Sequence, residues 1–232
     1  MNRSVIVIGK APEAGRTKTR LTPPLTPTEA AGLYEAFLVD CVDLAFNLDW
    51  ERVSVVYAPT PGARTLLRRL LPARTHLMAQ PGNGLQAALS GAFERELSAG
   101  FDRVVLIGSD NPTLPRPLIE EACTRLDDSD VVIGPSTDGG YYLIAMSSPH
   151  LGLFERITWS TDVVYAETLE RASDLGLDVV SLPTWYDVDT IDGLRELASD
   201  LARLPPELAP RTRRWMRRLE PKIHQLGSST GT

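Results

Sequence analysis

Four cationic side chains, Lys10, Arg16, Lys18 and Arg20, fall within eleven residues and are interleaved with Pro12 and Gly15. They follow the apolar run 4–8 through Gly9. A chain of net charge −6 thus gathers positive charge just behind a strand, where an α/β sheet holds its ligand. That points to a phosphorylated substrate. Gly9 permits a close backbone approach, and Gly15 suits a positive φ that leaves a gap for phosphate oxygens. Arginine adds bidentate geometry, and amides in such a loop can form an anion nest. The spacing is neither a P-loop nor a dinucleotide fingerprint. The competing reading is a solvated basic loop, with Arg20 paired to a carboxylate at the edge of the core.

Three acidic turns complement this loop. The first ends an apolar strand in Gly108-Ser109-Asp110-Asn111-Pro112. Asp110 there is a hard ligand suited to Mg²⁺ or Mn²⁺, and Asn111 suits the metal shell or a sugar hydroxyl. An Asx-turn or a helix cap is the alternative. The second is Asp138-Gly139-Gly140-Tyr141-Tyr142, in which Asp138 can orient an acceptor, bind metal through water or act as a base. Only one of Tyr141 and Tyr142 should line a pocket, because an extended chain points them to opposite faces. The third is Asp187-Val188-Asp189-Thr190, whose two carboxylates share one side. They suit a metal site or a network holding the basic loop, unless Asp189 simply caps a helix. Trp159-Ser160-Thr161 borders the acceptor pocket, or Trp159 is a buried indole with a helix cap beside it. His76, His150 and His224 lack ligand spacing, and Ser109 has no G-x-S-x-G context.

The elements that must position these groups alternate in period. Runs at 4–8, 52–58, 103–107 and 130–134 read as strands buried on both faces, with a weaker one at 75–79. Segments 28–46, 63–71, 85–98 and 116–127 read as helices. Beyond them, 141–146 reads as a strand entered through a tight glycine turn, 161–175 as a helix and 179–182 as a short strand. A helical segment within 189–204 is capped by Asp189 or Thr190. The result is a Rossmann-like three-layer α/β/α sheet, doubly wound with helices on both faces. Residues 1–204 form one nucleotide-binding domain, 205–226 a basic helical extension and 227–232 a disordered tail.

The 232 residues, 43% hydrophobic, suffice for a substantial core, and the acidic balance argues against general nucleic-acid coating. Cys41 and Cys123 read as buried small residues. No apolar run is long enough to span a membrane, and no secretory h-region is evident, so a cytoplasmic location is expected. The basic stretch 211–218 around Trp215 suits RNA, phospholipid or an acidic partner. It equally suits a solvated helix that packs Trp215 and Met216 back on the domain.

Taken in order, Gly9-Lys10-Ala11-Pro12, Gly15-Arg16, Lys18-Thr19-Arg20-Leu21, Gly108 to Pro112, Gly134-Pro135, Asp138 to Leu143, Trp159-Ser160 and Asp187 to Thr190 resemble the DUF2064 proteins. These belong to the glycosyltransferase-A-like superfamily and are also named selenodomain-associated transferase 1. The resemblance covers roughly residues 3–200. The first segment, followed by Leu21-Thr22-Pro23, is also similar to phospholactate guanylyltransferases. The resemblance implies a nucleotide-diphospho-sugar transferase (GT-A) fold and a divalent cation, Mg²⁺ or Mn²⁺. It makes Asp110 the main metal carboxylate, completed by Asp187 or Asp189, and places Lys18 and Arg20 on the family's basic positions. One segment departs from the pattern: Gly82-Asn83-Gly84-Leu85-Gln86-Ala87-Ala88-Leu89 lacks the acidic and arginine residues common in the family. It resembles instead the loop of nucleotidyltransferases that approaches the base, which implicates Gly84.

The expected function is metal-dependent nucleotidyl transfer from an NTP to a small phosphorylated or hydroxylated acceptor. Lys18, Asp110 and Asp138 would be catalytic. Lys10, Gly15, Arg16, Lys18, Arg20 and Gly84 would hold the nucleotide. Asn111, Gly139, Gly140, Tyr141 and Trp159 would form the acceptor pocket, and Asp110, Asp187 and Asp189 the metal site. The alternatives are glycosyl transfer from a nucleotide-sugar and a non-catalytic nucleotide- or partner-binding module. The partners expected are thus a nucleotide or nucleotide-sugar and a small-molecule acceptor.

Overall fold

The structure is a computed structural model that describes residues 1–225. The tail expected at 227–232 lies outside the described residues. Seven strands form one sheet: β1 (Arg3–Gly9), β2 (Arg52–Tyr57), β3 (His76–Ala79), β4 (Arg103–Gly108), β5 (Val131–Pro135), β6 (Tyr141–Met146) and β7 (Val179–Ser181). Their order is β3-β2-β1-β4-β6-β5-β7. Parallel pairing holds for β3-β2, β2-β1, β1-β4 and β5-β7, whereas β6 runs antiparallel to both β4 and β5. The expected doubly wound sheet therefore contains one reversed strand. The cause is local: residues 136–140 make a short turn, and a parallel crossover needs about a dozen residues or more. The reversal keeps the carboxyl ends of β1, β4 and β5 on one edge, together with the start of β6.

The helices are α1 (Pro27–Phe46), α2 (Ala63–Leu70), α3 (Gly84–Ser98), α4 (Arg116–Arg125), α5 (Val164–Asp174), α6 (Ile191–Arg203) and α7 (Pro210–Gln225). Strand alternation divides the core. Val5, Val7, Val105 and Ile107 pack with residues of α1, α2 and α4, while Ile6, Val104, Leu106 and Ile144 pack with α3 and α5. Each fully buried aliphatic side chain removes enough apolar surface to contribute roughly 1.5–3 kcal/mol before entropy is counted. Cys41 and Cys123 are buried and unpaired, as expected.

Helix α1 begins one residue earlier than its first Thr-Glu pair suggests. Thr26 caps it reciprocally with Glu29, and Pro27 occupies the first turn. That capping box, Thr-Pro-Thr-Glu, is a readable signal. A third cluster unites Leu33 and Phe37 of α1 with Leu194 and Leu197 of α6 and Met216, Leu219 and Ile223 of α7. The Trp215 indole lies against Gly32, where an added Cβ would come within 2.3 Å of the ring. The basic residues of α7 are largely engaged within the molecule: Arg211 pairs with Asp40 and Asp43, Lys222 with Glu29, and Arg213 donates to the carbonyls of Leu204 and Leu208. Among the described residues, no helix is long and apolar enough to cross a membrane.

Candidate active site

The basic loop leaves β1 through Gly9. An added Cβ there would meet Leu38 at 3.0 Å and the Tyr34 hydroxyl at 3.2 Å, so the close approach expected of this glycine is real. The loop then closes on Glu13, whose carbonyl accepts from the amides of Arg16 and Thr17. Glu13 also receives the Thr60 hydroxyl and pairs with Arg16 at 3.2 Å. Gly15 takes φ 77°, as its position predicts, and nothing would contact a Cβ there. Thr17 is buried, and Lys18 itself adopts a left-handed φ of 50° before a 3-10 turn at Thr19–Leu21 anchored by buried Leu21. A left-handed lysine is uncommon. Here it turns the side chain inward.

Lys18 differs from the other cations of the loop in its burial. Its side chain is only 3% exposed, and its Nζ lies 2.7 Å from both Asp110 Oδ1 and Asp189 Oδ1. The rings of Tyr34 and Phe37 stand 5.9 Å from the ammonium. Burial opposes the charge, but Asp110 and Asp189 outweigh it and hold the lysine above its ordinary pKa. Lys18 is thus an internal counter-ion more than an open phosphate ligand. Asp189 is half-buried, which opposes its charge, yet Lys18 keeps its carboxyl below the ordinary range, with help from Arg20 and Lys10.

The acidic turns converge because the chain after β7 runs beside the end of β5. Trp185 N donates to Pro135 O, Thr137 N to Trp185 O, and Val188 N to Asp110 O. Thr190, not Asp189, caps α6 by accepting from Gly193 N, and so leaves Asp189 for Lys18. Asp187 receives Asn111 Nδ2 at 2.7 Å. Burial pushes its pKa up to about 7, and the nearby charges of Asp110, Asp138 and Asp189 add to this against the Asn111 bond. Asn111 is 1% exposed, so it holds Asp187 rather than facing an acceptor. Asp138 accepts from Gly140 N at 3.0 Å and from the Ser136 hydroxyl, closing the turn.

These groups line a cleft of about 640 Å³ at the carboxyl edge of the sheet. Lys10, Arg16, Lys18 and Arg20 form one side, and Asp138, Gly140, Tyr141, Asp187 and Asp189 another. Gly84 is outside the lining, but its neighbour Leu85 reaches it. Gly15 and Asp110 are not among the lining residues either. Gly139 is structural: at φ 86° an added Cβ would sit 1.9 Å from Asp162 O, and its carbonyl accepts Tyr165 N. Trp159 packs edge-on behind Tyr141 with centroids 6.5 Å apart, so it supports the wall without lining it. Thr19, Ser160, Thr161, Asp162 and Val164 complete the lining; Ser160 and Thr161 were expected at the pocket border beside Trp159, whereas Thr19, Asp162 and Val164 were not foreseen. The positive φ of 66° at Ser160 is a backbone feature that no residue type announces.

Asp110, Asp187 and Asp189 offer hard oxygen donors, and the raised pKa of Asp187 follows from burial first and from the neighbouring carboxylate charge second. This donor chemistry fits a divalent cation. The arrangement is not a finished cage, because Lys18 separates Asp110 from Asp189. No cluster of three or more His, Cys, Asp or Glu side chains disposed to hold a metal occurs among the described residues.

Comparison with known proteins places this cleft in a family context. The profile of the family described as "Uncharacterized protein conserved in bacteria (DUF2064)" matches residues 42–161. The chain is 28% identical to 2-phospho-L-lactate guanylyltransferase of Methanothermobacter thermautotrophicus over 186 residues, 78% of each chain. It is 31% identical to 3-phospho-D-glycerate guanylyltransferase of Phenylobacterium zucineum over 135 residues, 56% of this chain and 60% of that one. A solved structure from Desulfovibrio desulfuricans G20, given the provisional name nucleotide-diphospho-sugar transferase, superposes with a TM-score of 0.87 at 32% identity. It covers 97% of this chain and 98% of its own. The fold is accordingly the Rossmann-like GT-A type.

Proposed function

The chain belongs to the DUF2064 family, and from that premise we propose that it transfers a nucleotidyl group from a nucleoside triphosphate to a small phosphorylated or hydroxylated acceptor. The observation that carries this reading is one cleft with a cationic loop facing a set of carboxylates. Lys10 and Arg20 line it and form no ion pair among the described residues, so their charge is available to phosphate oxygens. The guanylyltransferase relatives support the same transfer type.

In the proposed reaction an acceptor oxygen attacks the α-phosphorus. The bond from that phosphorus to the bridging oxygen breaks, and pyrophosphate leaves. Lys10, Arg16 and Arg20 hold the phosphate chain in line and offset the charge that develops on it. Lys18 keeps Asp110 and Asp189 apart and oriented, and Asn111 does the same for Asp187. Asp138, with one oxygen fixed by the turn, presents the other to an acceptor hydroxyl. Asp110 and Asp187 would hold a divalent cation, Mg²⁺ or Mn²⁺, which when bound supplies charge neutralisation at the phosphate oxygens. Leu85, beside Gly84, stands where a base would lie against the cleft.

A second reading, glycosyl transfer from a nucleotide-sugar, draws on the 32% identity to the Desulfovibrio protein. One experiment separates the two. The protein is incubated with each NTP, then with nucleotide-sugars, alongside phosphorylated hydroxyacids as acceptors, with and without Mg²⁺ or Mn²⁺. Pyrophosphate release with a nucleotidylated product supports the first reading. Nucleoside diphosphate release supports the second. Absence of turnover, with nucleotide binding retained, would leave the binding-module reading and remove both.

A further inference from the structure

One buried side chain touches both halves of the site and belongs to neither. Tyr34 of α1 is 1% exposed. Its hydroxyl accepts from the amide of Lys10 at 2.9 Å, the first residue of the basic loop, and is 2.9 Å from Ser109 Oγ, the residue before Asp110. Its ring faces the Lys18 ammonium at 5.9 Å. Ser109 is in turn fixed to the first strand by its amide bond to Ile8 O. Gly9 leaves the space that this hydroxyl fills, since a Cβ there would stand 3.2 Å from the Tyr34 oxygen and 3.4 Å from Ser109 Oγ. Burial raises the phenol's pKa, so it stays protonated and acts as a neutral bridge at any working pH.

We propose that Tyr34 is a positioning residue that sets the distance between the basic loop and the acidic turn. This deepens the nucleotidyl-transfer reading and rests on it for the consequence in turnover. The loop and the turn come from strands separated by nearly a hundred residues of chain. On the cleft side they are joined by the Lys18–Asp110 ion pair at 2.7 Å, and at their roots on the sheet edge by the Tyr34 hydroxyl. A phosphate chain must touch both at once, and small errors in their separation weaken that grip. The phenol bonds a backbone amide on one side and a side chain on the other. That ties the two roots together from beneath, below the Lys18–Asp110 pair, without occupying the cleft.

Tyr34→Phe keeps the ring, the packing and the contact with Lys18, and removes only the bridge. Ser109→Ala cuts the same bridge from the other end. Two measurements on the full chain test the idea. In hydrogen exchange, Tyr34→Phe is expected to speed exchange at least tenfold at the amides of residues 10–18 and 109–111, with α4 and β2 unchanged. In kinetics with Mg²⁺ and the competent NTP, its nucleotide KM is expected to rise about tenfold with kcat within threefold. The double variant should be no worse than either single one, because both remove one connection. Unchanged exchange in the two segments overturns the proposal even if no NTP is ever turned over. That keeps its failure separate from failure of the functional reading. Additive losses in the double variant, or an unchanged KM in an active enzyme, overturn it as well.

Discussion

Replacing Lys18 with methionine tests the interior of the site most directly. The substitution keeps the length and apolar stem of the side chain but removes a charge that is 3% exposed and 2.7 Å from two carboxylates. Breaking a buried pair by deleting one partner costs about 3–5 kcal/mol. Two features argue for the low end. The partners Asp110 and Asp189 retain 33% and 39% of their side-chain exposure, so water compensates part of the loss. A stranded carboxylate can also take up a proton, as Asp187 already does with a pKa of about 7. The expected loss is therefore about 3 kcal/mol at pH 7.5 and less than half that near pH 5, where protonation is easy. Urea denaturation at the two pH values measures both. Added Mg²⁺ should restore more stability to the variant than to the parent, since the cation takes over the missing charge. An equal loss at both pH values, or a loss under about 1 kcal/mol, would falsify the view that Lys18 is the internal counter-ion of this cluster.

Other perturbations follow the same geometry. Asp187 has a folded pKa of about 7 against an ordinary 3.8. The folded protein thus holds this proton more tightly, and its stability should fall as pH rises from about 4 through 7, by on the order of 4 kcal/mol. Asp187→Asn should flatten that slope in a Tm-against-pH series. Gly139→Ala combines left-handed strain with a backbone clash at Asp162 and should cost about 2–5 kcal/mol, whereas Gly15→Ala, strained but in open space, should cost about 1 kcal/mol. Equal costs in chemical denaturation would show that the Asp162 contact is immaterial. Asp110→Ala should abolish the Mg²⁺ dependence of nucleotide binding in calorimetry, and an unchanged dependence removes Asp110 from the metal site.

Much of this was legible in the residues. Strand and helix alternation followed from period, and Asp110 and Asp138 lie where apolar strands run out, whereas Asp187 reaches the same edge because the chain after β7 follows the end of β5. Strand alternation alone does not show the reversal of β6, since its residues alternate alike in either direction; the signal lay in the short glycine turn before it, too brief for a parallel crossover. Lys18 looked like its neighbours in the loop, since nothing in a lysine's identity reveals a left-handed backbone that aims it inward. Asn111 and Tyr34 act through bonds to partners 76 and 24 residues away, which no local pattern records. Trp159 was read as pocket lining from its place in a motif, yet packing against Tyr141 set it one layer back.

Helix α1 has two working sides. One presents Tyr34 and Phe37 to the Lys18 ammonium, and another carries Gly32, on which the Trp215 indole of α7 rests. The last helix is thus an outrigger. It never reaches the cleft, yet it braces the beam from which the counter-ion's aromatic seat projects. A change in α7 that loosens its grip on Gly32 would be felt at the far side of that beam, in how steeply the site answers to salt and to divalent cations, before it was felt in the sheet. The residue opposite Trp215 is a glycine, so the brace has no slack: any side chain at position 32 would lift the strut.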